Sequence, residues 1–138
     1  MEQLMADGQT EALMAPPSRI LLVEDEPLIS MVTAELLSDA GFAVEEAATA
    51  TEAMAKLNCR FAAAIIDLGL PDRTGDVLAR EVRQKHAEFP ILIASGRGRH
   101  EVAAMFGGDA RIGYVGKPYD VDALVDALRR LGVIASGA

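Results

Sequence analysis

Three carboxylates, one hydroxyl and one ammonium each close a short hydrophobic run. Glu24 and Asp25 follow Leu21-Leu22-Val23, and Asp67 follows Ala64-Ile65-Ile66. Ser95 follows Ile91-Leu92-Ile93-Ala94, and Lys117 follows Tyr114-Val115-Gly116. If the runs are parallel strands, their carboxyl ends share one edge of a sheet and these side chains meet there. Carboxylates about 5 Å apart repel by about 3 kcal/mol per pair at an effective dielectric of about 20. Three together therefore call for a cation, a nearby ammonium or a shifted pKa. A few oxygen ligands suit Mg²⁺, which keeps several waters and accepts a phosphate oxygen. Zinc would want His or Cys, and His86 and His100 lie elsewhere along the chain. A hard cation beside an ammonium is the chemistry of phosphoryl transfer. Taken alone, Glu24-Asp25-Glu26 is equally a solvated loop that favours a helix N-terminus. The remaining polar strand ends favour the site.

The elements that must position these groups follow from the hydrophobic pattern. Residues 20–23 form an apolar run short enough for a buried strand. Pro27 sits where a helix can open. Leu28, Val32 and Leu36 then repeat at helical spacing until Gly41 closes the segment. Residues 42–45 suit a short edge strand. Ala50, Ala53, Met54 and Leu57 form a second helical stripe, and residues 61–66 the next strand. Residues 76–85 are predicted as a helix with Leu78 and Val82 inward. Residues 91–94 form the fourth strand, and a weak helix covers 99–106. Tyr114 and Val115 lie in the fifth strand. Asp120 is the expected N-cap of a last helix carrying Val121, Leu124, Val125, Leu128 and Leu131. Five strands alternating with five helices imply an α/β, doubly wound parallel sheet covered on both faces. Sites in that class form beyond the strand carboxyl ends, where strand order reverses.

The chain has 138 residues, enough for one domain with its own core. Thirteen basic and 21 acidic residues give a net charge of −8, a poor match for a nucleic-acid backbone. The single cysteine, Cys59, excludes an internal disulfide and is expected to be a packing residue. No apolar run approaches the roughly 20 residues of a membrane span, and the first residues lack the pattern of a signal peptide. The expectation is a cytoplasmic protein with neither nucleic-acid nor membrane partner. Residues 1–18 are expected to be an N-terminal extension, mobile apart from a helical turn around 11–14. Residues 19–133 form the domain and 134–138 a tail.

The four motifs resemble a known family. Ile20-Leu21-Leu22-Val23-Glu24-Asp25-Glu26-Pro27 is similar to the opening of receiver domains of bacterial two-component response regulators. Asp67-Leu68-Gly69-Leu70-Pro71-Asp72-Arg73-Thr74-Gly75 is similar to the segment around their phosphoacceptor aspartate. Ala94-Ser95-Gly96 and Lys117-Pro118 match the other two motifs. The resemblance implies a flavodoxin-like sheet of order 2-1-3-4-5. It implies that Asp67 accepts a phosphoryl group, that Glu24, Asp25, Asp67 and the Gly69 carbonyl hold Mg²⁺, and that Lys117 pairs with a phosphate oxygen. Glu24 replaces an aspartate common in the family, and reaches the ion either directly or through water. Ser95 is the hydroxyl that senses phosphate, where many members have threonine, and Tyr114 is the switch aromatic. A cis peptide is implied before Pro118. Gly69 and Gly96 leave the approach to Asp67 open, and Arg97 either shields the phosphoryl group or contacts a partner.

These resemblances imply a stand-alone receiver domain. Its donor is a sensor histidine kinase or a histidine phosphotransfer protein, and its output is contact with a downstream protein or onward phosphorelay. The domain catalyses its own phosphorylation and dephosphorylation rather than acting as a conventional enzyme. The rival reading is a protein-binding module on the same fold that is never phosphorylated. An aspartate-based phosphatase is disfavoured, because Gly69 stands where that class wants a second acid.

Overall fold

The computed structural model describes residues 18–58 and 60–135. The expected extension through residue 17, its helical turn, Cys59 and the tail from residue 136 lie outside the described residues. Among the described residues, five strands alternate with five helices. They are β1 (Arg19–Val23), α1 (Pro27–Asp39), β2 (Ala43–Ala47), α2 (Ala50–Lys56), β3 (Phe61–Asp67), α3 (Gly75–Lys85), β4 (Ile91–Ser95), α4 (Arg99–Phe106), β5 (Ile112–Gly116) and α5 (Val121–Arg130). All pairings are parallel and the strand order is β2-β1-β3-β4-β5. This is the doubly wound parallel sheet that the alternation predicts, in the flavodoxin-like order that the resemblance implies.

The sheet is buried from both sides because its strands are apolar at consecutive positions. Leu21 and Val23 of β1 face one cluster with Ala53 of α2, Leu78 and Val82 of α3, and Val102 of α4. Ile20 and Leu22 point the other way, toward Leu37 of α1 and Leu124 and Leu128 of α5. This is the two-residue alternation of a strand, with a helical layer waiting on each face.

Helix ends follow local chemistry. Gly41 adopts φ 103° just beyond α1, as a chain leaving a helix through the left-handed region requires. Thr49 Oγ1 accepts from Glu52 N at 3.0 Å while Ala48 N donates to Glu52 Oε1 at 2.8 Å, a reciprocal capping box that opens α2. Asp120 caps α5 as expected, accepting from Ala123 N at 2.8 Å. The fourth helix is eight residues long and ends at Gly107 in the left-handed region.

The apolar repeat of α1 does not mark its buried face. Leu28 is 67% exposed and Val32 45%, whereas Ser30, Thr33 and Leu37 are buried. The inward face is polar near its start because each hydroxyl finds a partner. Ser30 Oγ donates to Glu46 Oε1 at 2.6 Å, and Thr33 Oγ1 shares a hydrogen bond of 3.1 Å with the Tyr119 hydroxyl. Satisfied hydroxyls can be buried at little cost. Leu28 and Val32 instead join Ile29, Leu36, Pro118 and Tyr119 in an open groove of about 450 Å³. Leu37→Ala should therefore destabilise the domain by about 2–5 kcal/mol in urea unfolding, and Leu28→Ala by less than about 0.5 kcal/mol.

Candidate functional site

β1 and β3 are neighbours, yet their following connections lead to opposite faces of the sheet. A crevice opens at this reversal. Glu24 and Asp25 leave β1 on one side of it and Asp67 ends β3 on the other. One carboxylate oxygen from each of the three lies within 4.8 Å of the others. Glu24 is buried, while Asp25 and Asp67 are half-buried.

Lys117 closes the cluster from the far end of β5. Its ammonium lies 2.8 Å from Glu24 Oε1 and 3.2 Å from Asp67 Oδ1. The residue arrives there because Lys117 N donates to Ser95 O at 2.8 Å and a cis peptide to Pro118 follows. Burial pushes the Lys117 ammonium toward the neutral form, but the hydrogen bond and charge of Glu24 and the charge of Asp67 outweigh it, and its pKa is raised. Burial pushes the Glu24 carboxyl above its ordinary range despite hydrogen bonds from Lys117 and the Glu26 N–H. Three carboxylates against one ammonium leave two negative charges in formal count. The donors are hard oxygens without nitrogen or sulfur, so the set fits one Mg²⁺ by charge and by ligand type.

Asp67 is pinned from behind. Gly75 N donates to Leu68 O at 3.0 Å, and a Cβ at Gly75 would strike the Asp67 carbonyl oxygen. In front, the space is open. An added Cβ at Gly69 would lie 3.8 Å from Asp67 Oδ2, and one at Gly96 would meet nothing within 4 Å.

Ser95 ends β4, the strand beside β3, and is buried. Its Oγ accepts from Arg97 N at 2.9 Å, while the Tyr114 hydroxyl donates to Arg97 O at 2.6 Å. The two expected switch residues thus hold the two sides of one residue's backbone. The Arg99 guanidinium lies 5.4 Å over the Tyr114 ring, within cation–π range. The Arg97 and His100 side chains are exposed. His86 is half-buried, with its ring centroid 6.0 Å from that of Phe89.

Every side chain named from the sequence as a site residue thus lies at the carboxyl edge of the sheet or just behind it. Three further residues were not anticipated. Tyr119 seats Thr33 and lines the apolar groove. Gly75 allows the close approach behind Asp67. Asp72 reaches across to the start of α2. Gly75 and Asp72 lie in the stretch after Asp67 that carries the family resemblance, but nothing in that stretch encodes their contacts.

The comparisons agree with this geometry. Residues 20–129 match the family model described as response regulator receiver domain. The chain is 30% identical over 115 residues to sensor kinase CckA of Brucella abortus, covering 81% of this chain and 12% of that protein. It is 33% identical over 120 residues to the two-component response regulator PhoP of Pseudomonas aeruginosa, covering 86% of this chain and 53% of the relative. The chain thus spans about half or less of these curated relatives. Among solved structures, chemotaxis protein CheY4 of Vibrio cholerae superposes with a TM-score of 0.76 at 30% identity, covering 83% of this chain and 98% of that one. Among the described residues no helix is long and apolar enough to cross a membrane.

The contact behind Asp67 is testable. Gly75→Ala should cost about 1–3 kcal/mol of stability in thermal or urea unfolding, because the added methyl group has no room beside the β3 backbone.

Proposed function

The chain belongs to the response regulator receiver family, and on that premise we propose that Asp67 accepts a phosphoryl group from a phosphohistidine. The observation that carries this reading is the convergence of three carboxylates within 4.8 Å, with Lys117 in contact with two of them. An Asp67 carboxylate oxygen attacks the phosphorus of a phosphohistidine that carries a proton on its other ring nitrogen; the phosphorus–nitrogen bond breaks, its electron pair stays on the ring, and the imidazole departs neutral. Bound Mg²⁺ would supply charge neutralisation for the incoming phosphoryl oxygens. Asp25, Asp67 and the Gly69 carbonyl would hold it, with Glu24 direct or through water. Lys117 already touches Asp67 and takes a phosphoryl oxygen once one is present. Water later cleaves the acyl phosphate, releasing inorganic phosphate and restoring the Asp67 carboxylate.

Ser95 turns its hydroxyl toward the new phosphoryl oxygens and gives up the Arg97 N–H. Tyr114 then loses its fixed partner at the Arg97 carbonyl and moves inward. That transmits the event to the surface formed by α4, β5 and α5, where contact with a downstream protein carries the signal; onward phosphorelay is the alternative output. The receiver unit runs over residues 19–133, with 1–18 as an extension and 134–138 as a tail. The Ser18 hydroxyl donates to Ile134 O at 2.8 Å, so the residue before β1 is tied to the stretch that follows α5. A two-component partner implies a cytoplasmic site of action.

The donor, a histidine kinase or phosphotransfer protein, needs a docking surface beside Asp67. Exposed Leu28, Met31 and Val32 on α1, next to the groove bordered by Pro118 and Tyr119, supply an apolar one.

Two outcomes test the reading. Incubated with acetyl phosphate and Mg²⁺, the wild-type chain should gain the mass of one phosphoryl group, and Asp67→Asn should gain none while keeping its circular dichroism spectrum. Wild type that never gains the mass would point to the binding module instead. Leu28→Ser should slow transfer from a phosphorylated donor protein by about tenfold, the equivalent of about 1.4 kcal/mol. The same variant should react with acetyl phosphate at the wild-type rate, since that small donor does not use the helix.

A further inference from the structure

Asp72 lies outside the acid pocket, on the connection between β3 and α3, yet its carboxylate is devoted to another element. Oδ1 accepts from Ala50 N at 2.9 Å, and Oδ2 accepts from Thr51 N at 2.9 Å and from Thr51 Oγ1 at 2.9 Å. Those two amides open α2 and have no acceptor in the preceding turn. Thr49, the helix's own N-cap, takes only Glu52 N. The first turn of α2 is therefore capped from two places, once by its own residue and once by the loop that follows Asp67.

The same loop is tied on its other sides. Arg73 Nε donates to Glu81 Oε1 on α3 at 2.7 Å, and Arg73 NH1 donates to Thr51 Oγ1 at 3.1 Å. Leu70 is buried in the core, and Leu68 O accepts from Gly75 N at 3.0 Å. Residues 68–72 are thus held at Leu68, at Leu70 and at Asp72. Gly69, the one residue of this span beside the Asp67 carboxylate, lies between the first two anchors and has no side chain to fix it.

We propose that Asp72 is a positioning residue for the metal site: by clamping the loop onto the start of α2, it sets where the Gly69 carbonyl stands relative to Asp67. This rests on the reading above in which that carbonyl is a ligand. Mg²⁺ demands near-ideal octahedral geometry, so a loop free to drift loses affinity through one misplaced oxygen. Groups that orient ligands from outside the coordination shell commonly change metal affinity by about 10–100-fold. The hydrogen bonds from the Ala50 and Thr51 amides hold the Asp72 carboxyl far below the usual carboxylate range, so the clamp stays ionised at any pH where phosphoryl transfer is measured.

The test uses the full chain and Mg²⁺ alone, titrated by calorimetry, with the acetyl phosphate rate followed against Mg²⁺ concentration. Asp72→Ala should weaken Mg²⁺ binding about tenfold or more. At saturating Mg²⁺ its maximal phosphorylation rate should stay within about twofold of wild type, because Asp67 itself is unmoved. Asp72→Asn keeps one acceptor oxygen and should fall between the two; it also serves if the alanine variant fails to fold. Thr49→Ala removes the other cap of the same helix without touching the loop, and should leave Mg²⁺ affinity unchanged. Unchanged affinity in the Asp72 variants overturns the proposal, as does an equal loss in Thr49→Ala, which would make the effect one of helix stability. Failure of wild type to bind Mg²⁺ at all would instead overturn the reading of the site on which this rests.

Discussion

The structure is organised around an unbalanced charge. Glu24, Asp25 and Asp67 are brought together at the end of the sheet and only Lys117 answers them, leaving two negative charges in a half-buried crevice. A parallel sheet imposes that crowding, since it delivers all its strand ends to one edge. The fold stabilises the arrangement by burying apolar surface on both faces of the sheet. The cluster could hold a divalent cation, and in the proposed reaction such a cation would let a carboxylate approach an anionic phosphoryl group.

Lys117 has two partners in this state and a third in the proposed reaction. Its ammonium spans Glu24 and Asp67, so it already compensates charge at both carboxylates. A phosphoryl oxygen on Asp67 would compete for it. Ser95 is poised in the same way. Its hydroxyl accepts from Arg97 N, and the carbonyl of that same residue holds Tyr114. The charge imbalance at the crevice is therefore connected to the surface through one short backbone segment. Gly96 and Gly98 flank Arg97, and a Cβ added at either would meet nothing within 4 Å.

The sheet was legible because its strands are continuous apolar runs, each bounded by a polar residue or a turn. That pattern has few readings at this length, and the strand order was implied by the family resemblance that the four motifs carry. The side chains at the strand ends were legible for the same reason. The facing of α1 was not. Leu28, Val32 and Leu36 form the more apolar stripe, but Ser30 and Thr33 lie inward because Glu46 and Tyr119 satisfy their hydroxyls. A helical stripe records apolar spacing, and cannot say whether the partner of that stripe is the core or another protein. Asp72 was hidden for a related reason. Its carboxylate caps a helix more than 20 residues earlier in the chain, a pairing that no local spacing encodes.

The central claim is that metal and phosphoryl group neutralise each other at Asp67 with Lys117 as the third party. A crystal structure of the full chain grown with Mg²⁺ and beryllium fluoride, a stable phosphoryl mimic, tests it most directly. The account predicts one Mg²⁺ bound by Asp25 and Asp67, the beryllium of the trifluoride bonded to Asp67 Oδ, and the Lys117 ammonium drawn onto a fluorine. Mg²⁺ bound away from these carboxylates, or fluoride found on another residue with Lys117 unmoved between Glu24 and Asp67, would contradict it.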